Sequence, residues 1–285
     1  MLNEYLSILK ATGKSDRTIA TRKAQLNSFL FWLKETTESD NPLEITSIDA
    51  VKYRKYLQNK GLKPNSINIA LSSINSFCQW MYDDRKMSHN PVKKVEQIGI
   101  AKTAPRGLSK NEKHRLLRAI ENSKNKRDGA IILTLLDTGV RVSELISLTV
   151  DDVVIGDRKG MITVRAGKGN KFRQIPLRKE LRNFLVEYIF NNRSLGEYLF
   201  EGQRAPSLTS RAVQLICNKF GEKAKIDRLT PHVLRHTFAH DLLGVGVSLD
   251  KVALLLGHSS LNTTAIYTRP SMNDLQDAVD KIEYV

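Results

Sequence analysis

The sequence predicts a mainly α-helical protein of two domains, with a small β-hairpin in the second domain. Apolar residues recur at helical spacing through most of the chain, whereas one pair of β-like runs flanks a glycine-rich turn. The length of 285 residues corresponds to about two domains, and an aperiodic segment near residue 100 offers a boundary. We therefore expect a helical domain at 1–95, a linker at 96–107 and a second domain at 108–285.

In the first domain, apolar residues at helical spacing predict two amphipathic helices. They are Leu26, Phe29, Leu30 and Leu33 in one helix, and Ile67, Leu71, Ile74, Phe77 and Cys78 in the other. Between these helices, Thr46 and Asp49 have the spacing of a helix start, and Gly61 with Pro64 marks the end of that helix. Together these patterns predict a small helical bundle.

The predicted linker contains Gly99, Pro105 and Gly107, which interrupt regular structure. Directly after it, Ser109 and Glu112 form a capping-box pattern, in which both side chains accept hydrogen bonds from backbone N–H groups at the start of a helix. The second domain is therefore expected to begin with a helix.

Later in the second domain, β-like runs at 161–165 and 172–177 enclose a glycine-rich turn that contains Lys168. This hairpin is the only sheet that the sequence predicts. Helical patterns surround it on both sides. They cover 110–117, 130–148, 181–190, 211–220, 231–243, 249–256 and 261–267, and an amphipathic stretch follows at 273–282.

The composition favours a polyanionic partner. Lysine and arginine outnumber aspartate and glutamate by 45 to 30, a formal charge of +15, and such side chains neutralise phosphates and release counterions. Charge alone does not separate a nucleic-acid-binding protein from other basic proteins. The motifs must therefore distinguish between these two classes of protein.

Two cysteines and the absence of long apolar runs indicate a cytoplasmic protein without a membrane partner. Cys78 and Cys217 form no CxxC pair, which favours a reducing environment and buried thiols. Glu4 stands where a signal peptide needs an unbroken apolar run, and the apolar stretch 130–136 is too short to span a bilayer.

Four of the six histidines fall between positions 232 and 258. Thr230 and Pro231 are typical of a helix start, so that His232 and Arg235 share one face near a helix N-terminus, where an anion is favoured. The alternative is a packed histidine and a surface arginine. His236 and His240 have the spacing of zinc ligands, but Arg235 stands where a glutamate is needed, so we expect no metal site.

Three further motifs have the same ambiguity when each is taken alone. Gly257 after a helix turns the chain so that His258 projects from the corner, and Tyr267 follows nine residues later; a helix-turn-helix DNA-binding motif would look similar. Arg141, three residues before Glu144, is either a cation at a helix start or a surface ion pair. Lys168 is either a functional lysine or a solvated turn residue.

Together, the motifs resemble the tyrosine recombinase (phage integrase) family, and the chain is most similar to its compact Xer-type members. The order and spacing of five motifs carry the resemblance: TGVRVSEL around Arg141, GKGNK around Lys168, HVLRH from His232, LGHSS around His258, and Tyr267. It covers essentially the whole chain and is strongest in 135–270. It implies a two-domain clamp on DNA, with an N-terminal helical SAM-like core-binding bundle and a C-terminal catalytic domain.

The resemblance also implies the chemistry. Tyr267 attacks a DNA phosphodiester and forms a 3′-phosphotyrosine bond, with His232 as base and Lys168 as acid for the leaving 5′-oxygen. Bond energy is kept in the intermediate, so that no ATP, metal or other cofactor is implied. The residues assigned to catalysis are Arg141, Lys168, His232, Arg235, His258 and Tyr267.

Supporting roles follow in the same way. Arg141 and Arg235 hold the nonbridging oxygens, His258 donates a hydrogen bond to the phosphate, and Glu144 orients Arg141. The implied partner is double-stranded DNA with specific recombination sites. Candidate DNA contacts are Lys63, Ser66, Asn68, Lys171, Arg173, Thr209 and Arg211.

The family's C-terminal helix, here 273–282, implies a tetramer on two sites, either of identical chains or with a paralogue; packing within its own subunit is the alternative. A nucleoid-associated location follows from the DNA partner. Two other functions remain open at this point. The protein is alternatively a type IB topoisomerase that relaxes supercoils, or a DNA-binding regulator that has kept the scaffold without cleavage.

Overall fold

The computed structural model describes residues 1–39, 41–100, 106–165, 172–191, 196–202, 205–258 and 261–265. The chain divides into two compact units, Met1–Lys102 and Thr103–Val285. The first unit is helical, as the sequence predicts. Its helices are α1 (Leu2–Ala11), α2 (Asp16–Thr37), α3 (Ser47–Asn59) and α4 (Pro64–Asp83), with a 3₁₀ turn at Pro42–Glu44.

The four helices enclose a core rich in aromatic side chains. Phe29 of α2 meets Tyr53 of α3 edge to face with ring centroids 5.0 Å apart, and Tyr5 of α1 meets Phe77 of α4 at 5.2 Å. Such pairs add specific geometry to apolar burial. The predicted helix start is confirmed, because Thr46 and Asp49 form a reciprocal capping box at the start of α3.

The first part of the predicted linker is anchored to the first unit. Asn68 of α4 bonds both backbone groups of Ile98, donating to its carbonyl and accepting from its N–H at 2.8 Å each. Arg54 of α3 donates to the Glu96 carbonyl at 2.7 Å. Side-chain-to-backbone bonds therefore hold 96–98 against α3 and α4, a feature that the aperiodic sequence does not reveal.

The second unit is a helical domain with one three-stranded antiparallel sheet in the order β1, β2, β3. Its elements before the last helices are α5 (Lys110–Glu121), α6 (Lys126–Thr138), α7 (Val142–Ser147), a 3₁₀ turn (Val150–Asp152), β1 (Val153–Ile155), β2 (Gly160–Arg165), β3 (Phe172–Pro176) and α8 (Lys179–Asn191). The remaining helices are α9 (Ser210–Lys223), α10 (Pro231–Gly244), α11 (Leu249–Leu256) and α12 (Leu261–Thr264).

Helix α6 forms the centre of this unit, since every residue from Asp128 to Thr138 is buried. The capping box of Ser109 and Glu112 is confirmed at the start of α5. The predicted hairpin is confirmed as β2 and β3, with Arg165 opposite Phe172. Strand β1, which the sequence analysis missed, has only three residues, too few for an alternating pattern to be recognised.

Cys78 and Cys217 are both buried free thiols, as expected, and burial raises the pKa of each to about 12. Among the described helices, none is long and apolar enough to cross a membrane.

Candidate active site

Residues from three distant motifs meet where α6, α10 and α11 come together. Arg235 of α10 is only 4% exposed. Its guanidinium donates to the Gly139 carbonyl at the end of α6, and to the Leu256 carbonyl of α11 at 2.8 Å. The same group contacts His258 Nε2 at 2.9 Å. The fold therefore assembles an arginine–histidine cluster from positions up to 119 residues apart in sequence.

Two glycines make this assembly possible. Gly139 ends α6 and Gly257 ends α11, both with left-handed φ angles of 59° and 65° that L-residues rarely adopt. A Cβ on Gly139 would lie 2.5 Å from the Phe238 ring, and one on Gly257 would lie 2.7 Å from the Arg173 guanidinium. Only glycine fits both the backbone conformation and the space at these helix ends.

Arg141 joins the cluster from the start of α7. Its backbone N–H donates to Glu144 at 2.7 Å and its guanidinium donates to the same carboxylate at 2.9 Å. The guanidinium also reaches the carbonyls of Leu256 and Gly257, at 3.5 and 3.2 Å. Because 41% of the side chain remains exposed, Arg141 is held in place yet open to a ligand.

Arg173 of β3 differs from its prediction as a DNA contact. Both of its terminal nitrogens donate to Glu144, at 2.9 and 2.8 Å, and its Nε donates to the Leu255 carbonyl at 2.7 Å. The side chain is 9% exposed. An arginine with these three bonds is committed to the protein interior, so we withdraw it from the candidate DNA contacts.

Glu144 is the shared partner of both arginines. Burial alone would raise the pKa of its carboxyl, but the hydrogen bonds from Arg173 and from the Arg141 backbone, together with both guanidinium charges, lower that pKa to about 2. Glu144 is therefore ionised at neutral pH. It orients the two arginines and is unsuited to proton transfer.

His258 lies beside these cations in a defined tautomer. An arginine can only donate, so His258 Nε2 accepts from Arg235, and the ring proton is on Nδ1, which donates to Thr264 at 2.8 Å. Burial, with the charges of Arg235, Arg141 and Arg173, lowers the pKa of His258 to about 4. The ring is thus neutral at pH 7. For His258 to donate a hydrogen bond to a phosphate, as predicted, its Nε2 must lose the hydrogen bond from Arg235 and gain a proton.

The other histidines follow one another along α10. The start of this helix is confirmed, since Thr230 caps it by accepting from the Val233 N–H at 3.2 Å and Pro231 is its first residue. His232, in the first turn, is exposed, and its ring stacks on His236 with centroids 6.3 Å apart. Burial, then the charges of His232, His240 and Arg235, lowers the pKa of His236 to about 4. His232 is thus open to solvent, whereas His236 packs behind it.

The cluster is suited to an anion. Arg141 and Arg235 both reach the Leu256 carbonyl, so two guanidinium groups lie side by side. The guanidinium groups of Arg141 and Arg173 share the single Glu144 carboxylate, and the Arg235 guanidinium lies beside that of Arg141. A bound phosphate would relieve this repulsion and accept hydrogen bonds from both exposed and buried cations.

Several predicted residues lie outside the described residues. These are Lys168 and Lys171 in the hairpin turn, Tyr267, and the amphipathic stretch 273–282.

The candidate DNA contacts that the structure describes fall at two helix starts. Lys63 and Ser66 are exposed at the start of α4, whereas the amide of Asn68 is bonded to Ile98. Thr209 and Arg211 are exposed at the start of α9, where the Thr209 hydroxyl accepts from the Ala212 N–H at 3.1 Å.

Sequence reasoning missed the carbonyls of Gly139 and Leu256, Thr264, and the structural role of Arg173. The glycines at 139 and 257 are a usable signal for the carbonyls, because glycine after a helix marks its C-terminus. No local pattern marks Arg173, whose partner Glu144 is 29 positions away.

Comparison with known proteins gives the same assignment in both units. The profile of the phage integrase family matches residues 106–274, and that of the phage integrase N-terminal SAM-like domain matches residues 2–85. Tyrosine recombinase XerA of Pyrococcus furiosus is 34% identical over 99% of this chain and 93% of its own length. Tyrosine recombinase XerD of Listeria monocytogenes is 32% identical over 97% and 96%, respectively.

The fold has solved counterparts as well. The structure of the XerH site-specific recombinase in a post-cleavage complex with its palindromic difH substrate has a TM-score of 0.79 at 20% identity, covering 92% of this chain and 79% of that one. Profiles that span both units, and relatives above 30% identity over almost the full length, show that this chain belongs to the phage integrase family of tyrosine recombinases.

Proposed function

We propose that this protein is a site-specific DNA recombinase that cuts and rejoins strands through a 3′-phosphotyrosine intermediate. The observation that carries the proposal is the arrangement of Arg141 and Arg235 around the Leu256 carbonyl, with His258 beside them. Two fixed guanidinium groups match the nonbridging oxygens of a phosphodiester, and they are in place before the substrate arrives. The family membership and the XerA and XerD relatives support the same reaction.

In the proposed reaction, the phenol oxygen of Tyr267 attacks phosphorus and the bond from phosphorus to the 5′-oxygen breaks. The phenol proton passes to His232, and Lys168 gives a proton to the departing 5′-oxygen. The negative charge that develops on the nonbridging oxygens is met by Arg141 and Arg235. In the second step, the 5′-hydroxyl of a partner strand attacks the phosphotyrosine and releases the enzyme.

Exposed His232 fits its proposed role, because a base must reach the nucleophile. Half-buried His236 and His258, both with pKa lowered to about 4, are poorer bases at neutral pH. His258 instead donates a hydrogen bond to the phosphate after its Nε2 has gained a proton in place of the hydrogen bond from Arg235.

DNA binding by the two units is proposed to be a clamp around the duplex, in which basic side chains contact phosphates without reading sequence. Two sites are bound by a tetramer, either of identical chains or with a paralogue, and strands are exchanged through a Holliday junction. The charge of +15 predicts that binding weakens steeply with salt. The finer biological role is resolution of chromosome or plasmid dimers, resolution of transposon cointegrates, or integration and excision of a mobile element.

The test begins with the DNA site. The Tyr267→Phe variant is used to select binding sequences from a random duplex library, and the recovered sequence is built into a nicked suicide duplex. On a denaturing gel we expect the wild-type protein, but not Tyr267→Phe, to form a covalent adduct with the 3′-phosphate end of the cut strand. Peptide mapping of the adduct should identify Tyr267, and the reaction should proceed in EDTA.

Two outcomes would replace the proposal. Equal behaviour of the wild-type protein and Tyr267→Phe, with binding but no adduct, would identify a non-cleaving regulator. Relaxation of a supercoiled plasmid that lacks the selected site would identify a topoisomerase.

A further inference from the structure

We propose that Arg173 is a positioning residue for strand cleavage, which fixes the Arg141 guanidinium through Glu144. This inference rests on the proposed function and deepens it. Arg173 does not touch the reacting phosphate. Its effect on the reaction is exerted entirely through the groups that it holds.

The first step of the argument is the path of contacts. Arg173 grips both oxygens of Glu144, and each of these oxygens also accepts from Arg141, one from the guanidinium and one from the backbone N–H. The carboxylate is therefore fixed from two sides. Among the described residues, the Glu144 carboxylate accepts hydrogen bonds from Arg141 and Arg173. Without Arg173, these bonds would all come from Arg141, and a second residue would no longer help to fix the Arg141 guanidinium.

The second step is the link to the histidine turn. Arg173 Nε donates to the Leu255 carbonyl, one residue before the carbonyl that Arg141 and Arg235 share. The same guanidinium packs against the open face of Gly257, directly before His258. One side chain of β3 thus reaches α7, which begins directly after Arg141, and the end of α11, which precedes His258.

The third step is the place of Arg173 in the chain. It is the second residue of β3, which begins immediately after the turn segment that contains Lys168, and it pairs with Val164 of β2. The strand pairing thus gives Glu144 a support outside α7, the helix that carries it.

Burial separates this role from direct DNA binding. The Arg173 side chain is 9% exposed and makes three hydrogen bonds, two of them a bidentate fork to a carboxylate. A phosphate contact would have to break these bonds. Lysine cannot replace the fork and the Nε donor together, because its ammonium is a single point charge.

The experiment compares Arg173→Gln and Arg173→Lys with a control, Arg182→Gln. Arg182 of α8 also braces the sheet, donating to the Leu177 carbonyl at 3.1 Å, but it does not bond Glu144. Each protein is assayed with the selected suicide duplex at a temperature well below its own unfolding midpoint. Single-turnover cleavage and duplex affinity are measured separately.

We expect both Arg173 variants to cleave about 100-fold more slowly than wild type, the loss typical of a catalytic group displaced by about 1 Å, while duplex affinity changes less than about 2-fold. The control should lose less than about 3-fold in rate. A duplex with a neutral methylphosphonate at the cleaved position removes the charge that Arg141 meets. On the methylphosphonate duplex, the ratio of the wild-type cleavage rate to the rate of the Arg173 variants should fall at least tenfold, on the order of the whole positioning effect.

The outcomes are distinguishable. If the Arg173 variants cleave as fast as the wild-type protein, the positioning role is overturned and the proposed function is left intact. A loss of rate that is the same on the methylphosphonate and the ordinary duplex would assign Arg173 a purely structural role and overturn the inference. Failure of the wild-type protein to form an adduct would overturn the proposed function and this inference with it.

Discussion

Replacing Gly257 with alanine tests how the end of α11 supports the site. Gly257 has a φ of 65°, and the added methyl group would lie 2.7 Å from an Arg173 terminal nitrogen and 3.0 Å from its Cζ. Arg173 cannot swing aside freely, since Glu144 and the Leu255 carbonyl hold it through three hydrogen bonds. The substitution therefore strains the backbone and displaces an anchored guanidinium at the same time.

The two effects can be separated in size. A left-handed conformation costs a non-glycine residue about 1–2 kcal/mol. Inserting a methyl group into a filled site typically costs a further ~1–3 kcal/mol. Gly246 provides the matched control, because its φ is 83° and an added Cβ would meet nothing within 4 Å. Gly246→Ala should therefore show only the backbone effect.

Urea unfolding of Gly257→Ala, Gly246→Ala and the wild-type protein measures the difference, and suicide-duplex cleavage measures its consequence. We expect Gly257→Ala to be less stable than Gly246→Ala by about 1–3 kcal/mol, and to be the only one of the two that cleaves slowly. Equal stability and equal cleavage of the two alanine variants would refute the packing argument. The double variant with Arg173→Ala should recover the steric part of the lost stability.

Three further predictions concern charged groups. Glu144→Gln should lower the free energy of unfolding at pH 7 by about 3 kcal/mol, as expected when one partner of a buried ion pair is removed; because the Glu144 pKa is about 2, this difference in urea unfolding should persist to pH 4.5 and disappear as the pH falls through 2. Burial raises the pKa of Asp137 to about 6, so the native state binds the extra proton and wild-type stability falls as the pH rises from 4 to 6. Asp137→Asn should abolish this fall, so that its free energy of unfolding relative to that of the wild-type protein rises by about 3 kcal/mol between pH 4 and pH 8. The same difference in unfolding free energy at both pH values would contradict this prediction. Lys168→Ala should cleave an ordinary duplex slowly and a 5′-bridging phosphorothiolate duplex at nearly the wild-type rate, because the sulfur leaves without a proton; equal losses on both substrates would remove Lys168 as the acid.

Local signals predicted much of this fold correctly. The capping pairs Thr46 with Asp49 and Ser109 with Glu112 form as the sequence indicates, because both partners lie within one helical turn. The hairpin strands are also correct, since β-like runs of five or six residues flank a glycine-rich turn in the sequence. Strand β1 was missed because its three residues are too few for an alternating pattern to be recognised.

Long-range partners explain what the sequence patterns left out. Arg173 stands near Lys168 and Lys171 in sequence, so its charge favoured a surface role, yet Glu144 draws it inward from 29 positions away. Asn68 at the start of α4 likewise looked available to DNA, but Ile98, 30 positions later, occupies its amide. A side chain's charge can be recognised in the sequence, whereas its partner is fixed only by the tertiary fold.

The motifs proposed for catalysis could nevertheless be recognised, and the helix ends explain why. Arg235 binds carbonyls at the C-terminal ends of both α6 and α11, and Arg141 binds the carbonyl of Gly257. Such carbonyls lack partners within their helices and lie at the negative end of the helix dipole, so they hold cations close together. The helix must stop for its carbonyls to face the arginines, and in both motifs a left-handed glycine stops it. The glycine and the arginine or histidine that follows it therefore act together and lie close together in sequence, so the pattern can be recognised there. Arg173 has no such local pattern, because its side-chain partner Glu144 is 29 positions away.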